Sequence, residues 1–138
     1  MNITTILVTI VFLLVIFILP ILSSHFRKNK NLIFIYYFVV LLYQIVAFTN
    51  AFWFRTIGAD MDANSFHVLA VDISNSGIFQ FESSASLYKN IVGLLYWLTQ
   101  PSHIIGEQLS ILSISISMIV LANIIDLFKL NKFQTPIV

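Results

Sequence analysis

The stretch GADMDANSFHVLA, residues 58–70, gathers Asp60, Asp62, Asn64 and His67 in a chain otherwise dominated by Ile, Leu, Phe and Val. A carboxylate can take a proton from a hydroxyl nucleophile, and two together can hold a divalent cation through oxygen ligands. Asp60 and Asp62 are therefore the candidate catalytic residues. The same spacing also suits a plainer arrangement, with Asp62 or Asn64 capping a helix and Asp60 solvated in a loop. His67 falls roughly one and a half helical turns beyond Asp62. There it could orient an acceptor or, once protonated, bind phosphate; as a plain surface residue it would do neither.

Four residues are candidates for substrate binding: Arg55, His67, Lys89 and Glu107. Arg55 and Lys89 are the basic residues between Trp53 and His103. They suit either a lipid-linked phosphate or anionic head groups. Glu107 stands in the first turn of a long apolar helix. The helix dipole favours an acid there, and a carboxylate at the membrane edge is also a functional candidate. Tyr88, Tyr96 and Trp97 read as interfacial anchors. The chain has no cysteine, which excludes thiolate catalysis and thiolate metal ligation. His25, His67 and His103 lack the i, i+4 pairing of a helical zinc motif, so no metal-ligand set and no resident cofactor are assigned, apart from the divalent cation that the Asp pair could hold.

The elements that must position these residues are membrane helices. Of 138 residues 59% are apolar and 9% charged, whereas a soluble domain carries about 25% charged residues. The net charge of +1, without clustered Lys and Arg, excludes a nucleic-acid partner. Apolar runs predict transmembrane helices over about 3–22, 32–52 and 104–128, the first two uncharged and the third apolar apart from Glu107, Gln108 and Asn123, with Asp126 at its far end. A signal peptide competes for the first run, but no basic residues precede it and no small-residue cleavage site follows. Pro20 lies in its last turn, where a kink breaks few backbone bonds. Gln44 and Asn50 in the second span need partners on a neighbouring helix, and Ser110, Ser113, Ser115 and Ser117 suit the third to close packing. Asp126 is placed to pair with Lys129 at the end of that span.

The loop over 53–103 is too polar for lipid and too apolar for a disordered linker. Two short interfacial helices are expected in it, over about 62–75 and 86–99. The first aligns Phe66, Leu69, Ala70 and Ile73, and Gly77 can close it in the left-handed conformation. The second opens with serine caps and aligns Leu87, Ile91, Leu94, Leu95 and Leu98 before Pro101. The fold class is thus an all-α membrane protein, a single domain of three transmembrane helices with two interfacial helices in an outer loop. Arg27, Lys28, Lys30, Lys129 and Lys132 fall on one side and Arg55 and Lys89 on the other. The positive-inside rule then puts 23–31 and the C-terminus in the cytoplasm, and the N-terminus and the loop 53–103 outside an inner cell membrane.

The outer motif GAD-x-D-A-x-x-F-H, then LYKNIVGLLYWLTQPS, then a long span ending near LFKL, resembles the amino-terminal part of polytopic GT-C-class glycosyltransferases over about 53–133. The resemblance implies sugar transfer from a polyprenyl-phosphate donor at the outer face. Asp60 or Asp62 would be the base, and Arg55 or Lys89 would neutralise the departing phosphate. One span precedes the usual first helix, and enzymes of this class have many more spans than three. The chain accordingly reads as a fragment, or as one piece of an assembly inactive alone, whose partners are the bilayer, a lipid-linked sugar and further transmembrane helices. A non-enzymatic membrane subunit is the alternative of a different class. A transporter segment ranks third, because no span carries a buried charge pair or a broken-helix pattern.

Overall fold

The computed structural model describes residues 2–53, 61–80 and 84–128, with the backbone alone at 61–63 and 84–85. Six helices follow one another: α1 (Ile3–Leu22), α2 (Ser24–Lys28), α3 (Lys30–Phe52), α4 (Met61–Ser76), α5 (Ser84–Leu98) and α6 (His103–Leu127). Helices α1, α3 and α6 have the length and apolarity to cross a membrane; at 1.5 Å per residue even the 20 residues of α1 reach about 30 Å. Regular structure among the described residues is entirely helical.

Helix α6 runs between α1 and α3, which touch each other only slightly. Each spanning helix buries one narrow stripe: Thr5, Thr9, Ile16 and Pro20 on α1, Tyr36, Val40, Gln44 and Ala47 on α3, and Ile105, Gln108, Ile111, Ser115 and Ala122 on α6. These spacings of about one or two turns are those of a helix with a single packed face. The opposite faces present Leu7, Val11, Leu14, Phe34, Phe38, Leu41 and Leu121 outward, the distribution expected where lipid covers the surface.

The larger polar groups inside the bundle are paired, as a hydrocarbon setting favours, while the buried hydroxyls of Thr5 and Ser115 have no hydrogen-bond partner among the described residues. The amides of Gln44 and Gln108 bond reciprocally across the α3–α6 seam at 3.0 and 2.7 Å, and Asn50 Nδ2 donates to Glu107 Oε1 at 3.4 Å. The partners that the sequence required for Gln44 and Asn50 are thus found on α6. Thr9, Thr49, Ser110, Ser113 and Ser117 donate to carbonyls four residues back, a local bond that leaves the helix intact. Pro20 has no N–H to give the Ile16 carbonyl, and the Tyr36 hydroxyl donates to that oxygen at 2.6 Å. Pro20 therefore costs little for a further reason besides its place in the last turn.

The connection over 23–31, expected as a plain loop, contains α2. Ser23 Oγ accepts from Phe26 N–H, and Phe26 buries itself edge-on against Tyr36. That cap and that buried ring are enough to hold one helical turn. Asn29 Oδ1 caps α3 through the N–H groups of Asn31 and Leu32, so the second span begins at Lys30 rather than 32. At this end Ser23 Oγ donates to Asn123, and Asp126 lies 3.3 Å from His25. Lys129, its expected partner, falls outside the described residues.

Helices α4 and α5 form a closely packed hairpin at the other end of the bundle. Gly93 sets its spacing, because a Cβ there would stand 2.7 Å from Ile73 Cγ2 and 3.1 Å from the Ala70 carbonyl. Gly77 closes α4 with φ 66°, its N–H on the Ile73 carbonyl at 3.0 Å. Buried Asn90 fastens the following segment: its Oδ1 accepts from Gln80 N–H at 2.9 Å, and its Nδ2 donates to the Gln80 and Ser86 carbonyls. The two helices fall close to the expected 62–75 and 86–99, and the apolar faces expected on them are in part enclosed and in part exposed. Leu69, Leu87 and Leu98 point outward, while Ala70, Asn90, Val92, Gly93 and Tyr96 are enclosed. The apolar stripes that the spacing singled out belong partly to the outer surface of the hairpin.

Candidate functional site

A pocket of about 380 Å³ opens where the α4–α5 hairpin meets α6, lined by Phe66 and His67 of α4, Tyr88, Val92 and Tyr96 of α5, and His103, Gly106, Glu107 and Ser110 of α6. Each helix contributes by simple periodicity. Tyr88, Val92 and Tyr96 recur every fourth residue on α5, and His103, Gly106, Glu107 and Ser110 share one side of α6 over two turns. Beneath the pocket Ala70, Val92, Tyr96, Ile104 and Ile105 form one apolar cluster that fixes the three helices together.

The imidazoles of His67 and His103 stack face to face, with centroids 3.7 Å apart and planes 22° from parallel. His67 Nδ1 lies 2.8 Å from the Tyr96 hydroxyl, which donates to a bare nitrogen and accepts from a protonated one. Tyr88 donates to the Gly106 carbonyl at 3.0 Å and lies 3.0 Å from Ser110 Oγ, which also donates to Gly106. Burial pushes the phenols of Tyr88 and Tyr96 up from their ordinary range; the Ser110 hydroxyl partly offsets this at Tyr88, and neighbouring Glu107 adds to it at both. Both therefore stay neutral donors at physiological pH. Glu107 is half-buried in the wall, backed by Asn50 of α3. The pocket thus offers an acid, two imidazoles, two neutral phenols and a hydroxyl against the faces of Phe66 and Tyr88, whose rings meet edge-on at 5.5 Å.

Two of the expected site residues, His67 and Glu107, meet in this pocket. Lys89 is half-buried on α5 and does not line it. Asp62 lies inside the first turn of α4 rather than at its cap, as does Asn64, because the helix already begins at Met61. The Asp62 side chain, Asp60 and Arg55 fall outside the described residues. Among the described residues no group of three or more His, Asp or Glu is placed to share a metal ion.

Tyr88 and Tyr96, expected as interfacial anchors, instead turn inward; Tyr96 is only 3% exposed. Trp97 alone of the three faces outward, with its indole edge-on to Phe79. His103 carried no signal of its own in the sequence. The i, i+8 spacing of Tyr88 and Tyr96 puts both on nearly one face of α5 and could have marked that wall, but the meeting of His103 with His67 is purely tertiary. No protein-family model, curated protein or solved structure matches this chain.

Proposed function

We propose that the chain is part of a membrane glycosyltransferase that moves a sugar from a polyprenyl-phosphate donor to an acceptor hydroxyl at the outer membrane face, with Asp60 or Asp62 as the general base. The observation that carries this reading is the convergence of His67 and Glu107 on one pocket at the end of the bundle where α4 begins. Asp62 precedes His67 by five positions on the same helix, about 7.5 Å along its axis. Asp62 and His67 therefore share the amino-terminal half of α4. Aromatic faces beside hydrogen-bonding groups suit a sugar ring, whose C–H face packs on an aromatic while its hydroxyls bond at the rim. Val68, Leu69, Leu87, Trp97 and Leu98 project from the outer surface of α4 and α5, which supports an interfacial position for both helices. In the subunit reading, Gln44 and Asn50 would seek a partner helix; both bond to α6 and so supply no reason for one.

The test is sugar release from a panel of polyprenyl-phosphate hexoses by native membranes, with the chromosomal copy replaced by variants. Asp60→Asn or Asp62→Asn should lower transfer by about 10²–10⁴-fold, the usual contribution of a general base. Glu107→Gln should weaken transfer with less effect on the maximal rate. Full transfer in both aspartate variants, at normal membrane levels, overturns the proposal.

A further inference from the structure

At the end of the bundle away from the hairpin, Arg27 and Lys28 close α2 and Lys30 opens α3, all three with exposed side chains. The sugar transfer proposed above makes no use of them. Asp126 is the one acid in residues 1–59 and 108–138, and it lies 3.3 Å from His25. This end is thus cationic by sequence alone, since 129–138 adds Lys129 and Lys132 and no acidic side chain. We propose that α2 and the start of α3 hold one anionic phospholipid, with its phosphate on Arg27, Lys28 and Lys30 and an acyl chain along Phe34 and Phe38.

The three cations stand on a fixed backbone. Phe26 is buried edge-on against Tyr36, Asn29 caps the start of α3, and α2 packs on all three spanning helices. A ligand therefore has to order only side chains, not a loop. Arg27 offers a planar fork that matches two phosphate oxygens, and the lysines add point charges beside it. On α3, Phe34 and Phe38 follow Lys30 at i+4 and i+8, on nearly the same face. Their rings stack with centroids 6.5 Å apart and planes 13° from parallel, and they are 72% and 53% exposed. A charge at the helix end above an aromatic rail has the shape of a phospholipid, whereas a soluble phosphate would meet the cations alone. Lipid covers the rail in any case, and the cations decide which lipid. A zwitterionic head group brings its own positive charge against them, and an anionic one does not. The orientation predicted by the positive-inside rule sets this end in the leaflet that carries the anionic lipids. Because α2 touches every span, a lipid held there favours the folded bundle over the unfolded chain.

The test titrates phosphatidylglycerol into the full chain held in a neutral maltoside detergent and follows the thermal unfolding temperature by tryptophan fluorescence. A saturable rise is expected, larger than that given by phosphatidylcholine. Near an anionic surface each Lys or Arg is worth about fivefold in affinity, so Arg27→Gln/Lys30→Gln should move the titration midpoint to about 25-fold more lipid. Lys129→Gln/Lys132→Gln removes the same charge and should move it far less. Phe34→Ala should weaken the effect with no change of charge. Arg27, Lys30 and Phe34 are exposed, so their variants should unfold at the parent temperature in detergent alone. Soluble glycerophosphoglycerol should give no rise. The proposal is overturned by the absence of a rise or by an equal rise with phosphatidylcholine. Equal losses in the two double variants would mark a diffuse charge effect, and an equal rise with the soluble head group a phosphate site without lipid; either overturns it too. None of these results bears on whether Asp60 or Asp62 acts as a base.

Discussion

Pro20 deprives the Ile16 carbonyl of its helical donor, and the Tyr36 hydroxyl at 2.6 Å replaces it from the next spanning helix. Tyr36 is fully buried and also takes the edge of Phe26. Its hydroxyl therefore matters more than its ring volume, because removing it strands an acceptor where water cannot substitute. Tyr36→Phe should cost about 1–3 kcal/mol of stability, the penalty for one unsatisfied buried polar group. Pro20→Ala in the same background should recover much of it, since alanine restores the helical N–H. Unfolding of the detergent-solubilised protein by a denaturing detergent measures both, and a neutral Tyr36→Phe would show that the carbonyl is satisfied otherwise.

At the scale of elements, the hairpin depends on one close approach. Gly93 lets the α5 backbone come within van der Waals reach of Ile73 and the Ala70 carbonyl. Gly93→Ala puts a methyl group 2.7 Å from Ile73 Cγ2, 3.0 Å from Ile73 Cβ and 3.1 Å from the Ala70 carbonyl, and the carbonyl is backbone that no side-chain rotation moves. The substitution should destabilise by about 1–3 kcal/mol, as overpacking does, and should hasten proteolysis of the segment between α4 and α5. Unchanged cleavage would mean that Ile73 rotates away freely. This element also shows what the sequence made legible. Helix existence and approximate bounds followed from apolar length and period, and the left-handed Gly77 from its place after the serines. The inward face did not follow, because a helix that meets lipid on one side and protein on the other carries apolar residues on both. Leu87, Leu98, Val92 and Tyr96 look alike to a periodicity argument, and only packing separates them. The pocket was legible in halves: His67 and Glu107 stand out as polar residues in apolar surroundings. Tyr88, Tyr96 and His103 acquire their roles from partners far away in the chain.

For the whole molecule, the positive-inside rule predicts an orientation in which α2 faces the cytoplasm and the hairpin faces out. A single cysteine at Ser76, exposed at the end of α4, should react with a membrane-impermeant maleimide in intact cells. Labelling only after permeabilisation would invert the topology and, with it, the side on which the pocket works.

The arrangement of α6 between α1 and α3 has a consequence for biosynthesis. Gln44 leaves the ribosome with its amide committed to a residue 64 positions later, which at about 5–20 residues per second is a wait of roughly 3–13 s. Until α6 arrives, α1 and α3 have only a slight contact with each other, and Gln44 and Asn50 face a medium that cannot solvate them. The nascent second helix therefore has to be sheltered at the insertion machinery or at its boundary with lipid, and released when the third helix docks. Assembly of this three-helix bundle is timed by the arrival of α6.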